Sequence, residues 1–145
     1  MNINSAIIKG AKVLKQKFIK NPYLDSEILM TKAIKKDRKY ILVNFNKDLE
    51  TDHLNTFQKL IEKRSIGKPI AYLTNKKFFW NSEFIVSDDT LIPRPDTELV
   101  IEKVLDLTKQ RKHLNILEIG VGSGCILLSI LKERKSFYGT GIDIS

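Results

Sequence analysis

The 145-residue sequence has one cysteine and two histidines. A lone Cys125 closes no internal disulfide, and His53 and His113, sixty positions apart, offer no metal-ligand spacing. No apolar run approaches the ~20 residues of a bilayer span. Met1 to Lys20 lacks the basic cap, apolar core and small-residue cleavage site of a signal peptide, because its lysines are spread through an amphipathic pattern. These absences place the chain in a reducing, cytosolic (cytoplasmic) setting, with no membrane association and no bound metal expected. At 42% hydrophobic, 29% charged and 8% aromatic residues, the composition also excludes disorder, collagen and coiled coil.

What is present is unevenly distributed. Lys and Arg total 25 against 17 Asp and Glu, a net charge of +8. Residues 1 to 75 carry 15 − 7 = +8 and residues 76 to 145 carry 10 − 10 = 0. A basic first half joined to a neutral second half suggests two units with different partners. A coding bias toward A/T accounts for the same excess, since 20 Lys stand against 5 Arg and 19 Ile against 4 Ala.

The first half has the period of helices. Ile7, Ile8, Ala11, Leu14 and Phe18 recur at three- and four-residue steps, which predicts an amphipathic helix over Ser5 to Phe18 ended by Asn21-Pro22. A second helix is expected from Asp25, acting as its cap, through Ile28, Leu29 and Ile34. Tyr40 to Phe45 is too short to tell helix from strand. Thr51-Asp52 opens a further helix on Leu54, Phe57, Leu60 and Ile61, closed by Gly67 with Pro69 beyond.

After Leu73 the pattern changes. Lys77 to Trp80 and Glu83 to Val86 are aromatic and β-branched runs around Asn81-Ser82, a hairpin signal. Asp88 to Pro95 reads as a loop, because two prolines a residue apart exclude a helix interior. Asp96-Thr97 is expected to cap a helix through Leu99, Val100, Val104 and Leu107. Leu114 to Ile119 then reads as a buried strand, Gly120 to Gly124 as a loop, Cys125 to Lys132 as a helix and Phe137 to Ile142 as a strand, which is one βαβ unit. The expected fold class is α+β. Its parts are a helical bundle over 1–73, a hairpin and linker loop over 74–95, and the opening of an α/β sheet over 96–145.

The chemistry concentrates in Leu117-Glu118-Ile119-Gly120-Val121-Gly122-Ser123-Gly124-Cys125, with Asp143 nineteen positions beyond Gly124. Alternate glycines between strand and helix let the backbone turn sharply and a ligand lie against main-chain atoms. An acid at the tip of the next strand can accept both hydroxyl hydrogens of a ribose, so the pair points to an adenosine-containing cofactor. No lysine follows Gly124, which argues against a nucleoside triphosphate. Cys125 stands where a dinucleotide fingerprint needs a small residue later in the loop, which weakens the case for NAD. Glu118 would repel a phosphate and suits a cation. S-adenosylmethionine, with a sulfonium, an ammonium and no phosphate, fits best. The expected cofactor-binding residues are Glu118, Gly120, Val121, Gly122, Ser123, Gly124 and Asp143.

The E-x-G-x-G-x-G loop resembles motif I of class I methyltransferases. Gly67-Lys68-Pro69-Ile70-Ala71-Tyr72-Leu73, Phe79-Trp80, Phe84-Ile85-Val86 and Leu91-Ile92-Pro93-Arg94-Pro95-Asp96-Thr97-Glu98 resemble, in that order, a narrower group, the release-factor glutamine methyltransferases (PrmC/HemK). Asn75 stands where that family has a turn glycine, and Val121 where Thr is common. The resemblance implies methyl transfer to a glutamine side-chain nitrogen in a peptide chain release factor. It also implies a substrate side that includes Pro93, Arg94, Thr97 and Glu98. The family's Asn-Pro-Pro-Tyr motif does not occur in these 145 residues, and Asn21-Pro22-Tyr23 lacks the second proline and precedes the glycine loop. No catalytic residue is therefore assigned, and the chain is expected to be an inactive N-terminal portion whose strands, Ile116, Leu117 and Ile119 among them, lie partly uncovered.

Other readings are kept open. Cys125 at a helix start could be an acidified thiol, although a small packing residue is the better reading. Phe78, Phe79, Trp80 and Phe84 form either hairpin core or a base-stacking patch, and core is favoured. Lys35, Lys36, Arg38 and Lys39 form either an RNA contact or a solvated turn. The alternatives to a protein methyltransferase are an adenine or guanine nucleic-acid methyltransferase and a non-catalytic module binding an acidic protein or RNA.

Overall fold

The computed structural model describes residues 1–144; the expected cofactor unit's last residue, Ser145, lies outside them. The chain forms two compact units, Met1–Thr74 and Asn75–Ser145. The architecture is α+β.

The first unit is helical: α1 (Ile3–Gln16), α2 (Pro22–Ile34), α3 (Arg38–Val43), α4 (Thr51–Ser65) and α5 (Ile70–Thr74). The Asn2 side chain caps α1 by accepting from Ser5 N at 2.8 Å. Ile3, Ala6, Ile7, Gly10 and Leu14 then line its buried stripe. At Gly10 an added Cβ would lie 2.6 Å from Ser26 Oγ and 2.8 Å from Phe57 Cζ, so the absence of a side chain lets α2 and α4 close on α1. The buried Ser26 hydroxyl donates to the Ile7 carbonyl at 2.8 Å across the same contact. The α4 C-terminus closes with Gly67 at φ 96°, and Gly67 N and Lys68 N reach the Arg64 and Lys63 carbonyls, as expected of a glycine-terminated helix.

Two helix boundaries differ from the sequence expectation. Pro22 does not end α1 but opens α2, where its missing N–H costs nothing; α1 stops at Gln16, followed by Phe18 at φ 57°. Asp25 is not a cap either. It lies buried inside α2 and accepts from Arg64 Nε at 2.7 Å, a pairing across 39 residues that no local signal reveals. The undecided Tyr40 segment is helical, because Asp37 Oδ1 accepts from Tyr40 N at 2.8 Å and fixes the first turn of α3.

The second unit comprises β1 (Lys76–Phe79), β2 (Ser82–Ile85), a single 3-10 turn (Pro95–Thr97), α6 (Glu98–Leu107), β3 (Asn115–Ile119), α7 (Cys125–Glu133) and β4 (Tyr138–Ile142). The hairpin pairs Phe79 with Ser82, so its two turn residues are Trp80 and Asn81, one position earlier than the Asn81-Ser82 expected. Both have positive φ, 41° and 35°, as a two-residue hairpin turn requires. Asp96 and Thr97 make no side-chain cap to α6, because the chain enters it through the 3-10 turn. Strands β3 and β4 are parallel and joined through α7. Phe79, Phe84, Ile101, Ile130 and Phe137 form the core, with Trp80 packed against it and Phe78 exposed. Three of the four aromatics are therefore hairpin core. Leu117 and Ile119 are exposed, as expected of a sheet this small.

Among the described residues, no helix is long and apolar enough to cross a membrane, and no cluster of three or more His, Cys, Asp or Glu could hold a metal ion.

Candidate functional site

The site forms where β3 ends. Gly120, Gly122 and Gly124 all have positive φ (77°, 51° and 74°), which side-chain-bearing residues adopt only with strain. Gly120 N and Val121 N donate to the Ile142 carbonyl at 2.8 and 3.1 Å, fastening the loop to the end of β4. Gly124 N donates back to the Val121 carbonyl at 2.8 Å, and Gly124 then serves as the N-cap of α7. A Cβ at Gly120 or Gly122 would meet nothing within 4 Å. These two glycines are thus required by backbone angle, and the space above them is open.

Asp143 lies at the tip of β4. Its Oδ2 accepts from Gly122 N at 2.6 Å and its Oδ1 from Ile144 N at 2.8 Å, so the acid of one strand steadies the loop leaving the other. Ile119, Gly120, Ile142, Asp143 and Ile144 line an open concavity of about 440 Å³ at this edge.

Glu118 is half-buried, and its Oε2 accepts from Leu127 N at 3.0 Å, in the first turn of α7. A carboxylate there complements the positive end of the helix. Burial raises its pKa above the ordinary carboxylate value, partly offset by the Leu127 N–H. A desolvated carboxylate with raised proton affinity is also primed to gain a neighbouring cation. Cys125 begins α7, and burial pushes its thiol upward despite a lowering hydrogen bond from Ser123. Its side chain packs against the core of the second unit, as a small packing residue would.

The structure brings Glu118, Gly120, Val121, Gly122, Ser123, Gly124 and Asp143 together around one loop. Of the segment expected on the substrate side, Pro93 is buried, Arg94 is exposed, and Thr97 and Glu98 are half-buried. The Glu98 carboxylate accepts from Trp80 N at 2.9 Å, which ties the segment to the hairpin tip.

Sequence reasoning missed Gly139 and Gly141 in β4. A Cβ at Gly139 would lie 2.7 Å from Leu127 Cδ1, and one at Gly141 would lie 2.7 Å from Val121 Cγ2. Both face the layer carrying α7, opposite Ile116 and Glu118 in the parallel register, and they let the helix and loop settle against the strand. The available signal was the alternation of glycines in Tyr138-Gly139-Thr140-Gly141, at the period of one strand face.

Comparison with known proteins agrees with this layout. The family described as PrmC N-terminal domain matches residues 5–74. A release factor glutamine methyltransferase of Buchnera aphidicola subsp. Baizongia pistaciae is 39% identical over 136 residues, covering 94% of this chain and 49% of the relative. One from Leptospira interrogans is 39% identical over 145 residues, covering 99% and 51%. A bifunctional methyltransferase of Rickettsia bellii is 35% identical over 170 residues, covering 99% and 31%. The chain spans about half the length of the release factor glutamine methyltransferases it matches.

Proposed function

We propose, from the premise that this chain belongs to the release factor glutamine methyltransferase family and corresponds to its N-terminal portion, that it carries the helical domain and the S-adenosylmethionine-binding edge of such an enzyme. The observation that carries the reading is the bond from Gly122 N to Asp143. It joins a loop of three positive-φ glycines to an acid at the tip of the adjacent parallel strand.

The residues fit the cofactor. The open space over Gly120 and Gly122 admits a ligand against the main chain, and the Asp143 carboxylate at the tip of β4 is the acid placed to accept from ribose hydroxyls. Glu118 offers a half-buried negative charge to an ammonium or sulfonium, where a phosphate would be repelled. When bound, S-adenosylmethionine supplies a methyl group on a positively charged sulfur. The acceptor in this reading is the side-chain amide nitrogen of a glutamine in a peptide chain release factor. That nitrogen is a weak nucleophile, because its lone pair is delocalised into the carbonyl, so catalysis requires in-line placement and acceptors on its hydrogens. In the family an Asn-Pro-Pro-Tyr motif supplies those acceptors. These 145 residues contain none, so the chain by itself binds cofactor without transferring methyl groups. Pro93, Arg94, Thr97 and Glu98 border the substrate side, and the setting is cytoplasmic.

Calorimetric titration with S-adenosylhomocysteine is expected to give heat with this chain. Asp143→Ala should weaken binding by at least about tenfold, the scale of lost charge-assisted hydrogen bonds. Incubation with methyl-labelled cofactor and a release factor is expected to leave the factor unlabelled. Label on the factor would overturn the inactivity, and label on RNA or DNA in a parallel incubation would favour the nucleic-acid alternative. Steeply salt-dependent RNA binding by the basic helical unit would instead favour a binding module.

A further inference from the structure

We infer that Trp80 is a positioning residue, through which the hairpin tip holds α7, and with it the glycine loop, in register with the Pro93–Glu98 segment. The inference rests on the cofactor-edge reading above for what the loop binds, but the coupling itself is a property of this chain.

Trp80 sits at φ 41°, where a bulky side chain is rare and strained. Such a residue persists when its surroundings hold it, and here the surroundings do so from two helices. Its main-chain N–H donates to Glu98 Oε1 at 2.9 Å, in the first turn of α6. Its indole Nε1–H donates to Glu133 Oε1 at 2.9 Å, in the last turn of α7. The next helix residue back, Lys132, donates to the Asn81 carbonyl at 3.2 Å and to Ser82 Oγ at 2.8 Å. Phe79, immediately before the turn, is fully buried in the core shared with Ile101 of α6 and Ile130 of α7.

The arrangement gives α7 a glutamate contact at each end. Glu118 meets its first turn beside the glycine loop, and Glu133 hooks its last turn to the hairpin. A carboxylate in the last helical turn opposes the helix dipole, so Glu133 is poorly placed for helix stability alone. Its geometry is accounted for by the indole. A nine-residue helix is a short rigid element, so what fixes its far end also restricts the loop from which it springs.

Hydrogen exchange on the 145-residue chain tests the inference. Trp80→Asn keeps a residue tolerant of positive φ while deleting the indole donor. Glu133→Ala deletes the acceptor, and Glu133→Gln retains one. Amides of residues 120–128 are expected to exchange about tenfold faster in Trp80→Asn and in Glu133→Ala, the scale of one lost charge-assisted hydrogen bond. Glu133→Gln should stay near the unsubstituted chain, and amides of α2 and α4 should not change. Faster exchange confined to residues 79–83 and 131–134 would overturn the coupling, since a purely local contact predicts that pattern. If Trp80→Asn loses protection throughout the hairpin, the Ala and Gln variants at position 133 decide the matter by themselves. Calorimetry with S-adenosylhomocysteine separates the two claims. Absence of heat from the unsubstituted chain overturns the cofactor reading and leaves the exchange result to judge the coupling. Where heat is seen, Glu133→Ala is expected to weaken affinity several-fold and Glu133→Gln to restore it.

Discussion

Burial raises the proton affinity of Glu118, and the Leu127 N–H bonded to its carboxylate offsets part of that rise. A carboxyl group whose folded-state pKa is raised takes up a proton on folding between its ordinary and its raised value. Stability therefore declines as pH climbs through that window, and at neutral pH the ionised side chain is a net cost. Glu118→Gln keeps an acceptor for Leu127 and removes the charge. Its melting temperature at pH 7 is expected to equal or slightly exceed that of the unsubstituted chain, the advantage vanishing below the ordinary carboxylate range, while cofactor affinity falls. Thermal melts between pH 4 and 7, paired with titration calorimetry, check both halves. Gly122 separates fold from binding in a different way. At φ 51° an alanine costs about 1 kcal/mol of stability, yet its Cβ meets no protein atom and would project into the space a ligand needs. Gly122→Ala should remain folded by circular dichroism and lose cofactor binding.

At the scale of elements, the helical unit depends on one close crossing and one long-range ion pair. Gly10→Ala improves helix propensity by up to about 1 kcal/mol. The added methyl would collide with Ser26 Oγ, which is held by its bond to the Ile7 carbonyl, and with Phe57 and Ile61. Overpacking should win, for a net loss of about 1–2 kcal/mol measured by urea unfolding. Asp25 and Arg64 retain only 11% and 18% side-chain exposure, and Arg64 also donates to the Lys68 carbonyl. Asp25→Ala, which strands the guanidinium, is expected to cost about 2–3 kcal/mol in the same measurement. These elements also show what a sequence discloses. The helical period of α1, the Gly67 stop and the glycine loop were legible, since periodicity and backbone chemistry act within a few residues. Of the five positions expected on the α1 stripe, however, Ile8 and Phe18 are exposed, because Ile3, Ala6 and Gly10 turn the buried face to the other side of Ile7 and the helix ends before Phe18. Asp25 was misjudged because its partner is 39 positions away, and α5 went unassigned because five residues hold too little of a helical period. The hairpin was legible but its turn was displaced, because Trp80 adopts a conformation that its residue type disfavours. Within the site the loop and Asp143 could be named in advance. The bond of Glu118 to α7 and the glycines that make room on β4 depend on which elements meet, and only the fold brings them together.

For the molecule as a whole, the two units differ in how completely each closes its own core. In the first, Ile7, Leu14, Leu29, Met30 and Ile41 are fully buried among residues of the same unit. Residues 1–74 produced alone are accordingly expected to melt cooperatively, with helical circular dichroism retained, and a non-cooperative melt would contradict this. In the second, the register sets Leu117, Ile119, Tyr138 and Ile142 on one side of a two-stranded sheet, and all four are exposed. The positive charge resides in the first unit and the glycine loop in the second, so the division into basic and neutral halves coincides with the division of the fold. Trp80 adds an optical consequence. It is the chain's only tryptophan and belongs to the second unit, whereas most of the helix belongs to the first. Selectively excited indole emission therefore reports on the α/β unit, and ellipticity reports mainly on the bundle. One heating experiment on the unlabelled chain follows both, and the emission transition is expected at the lower temperature.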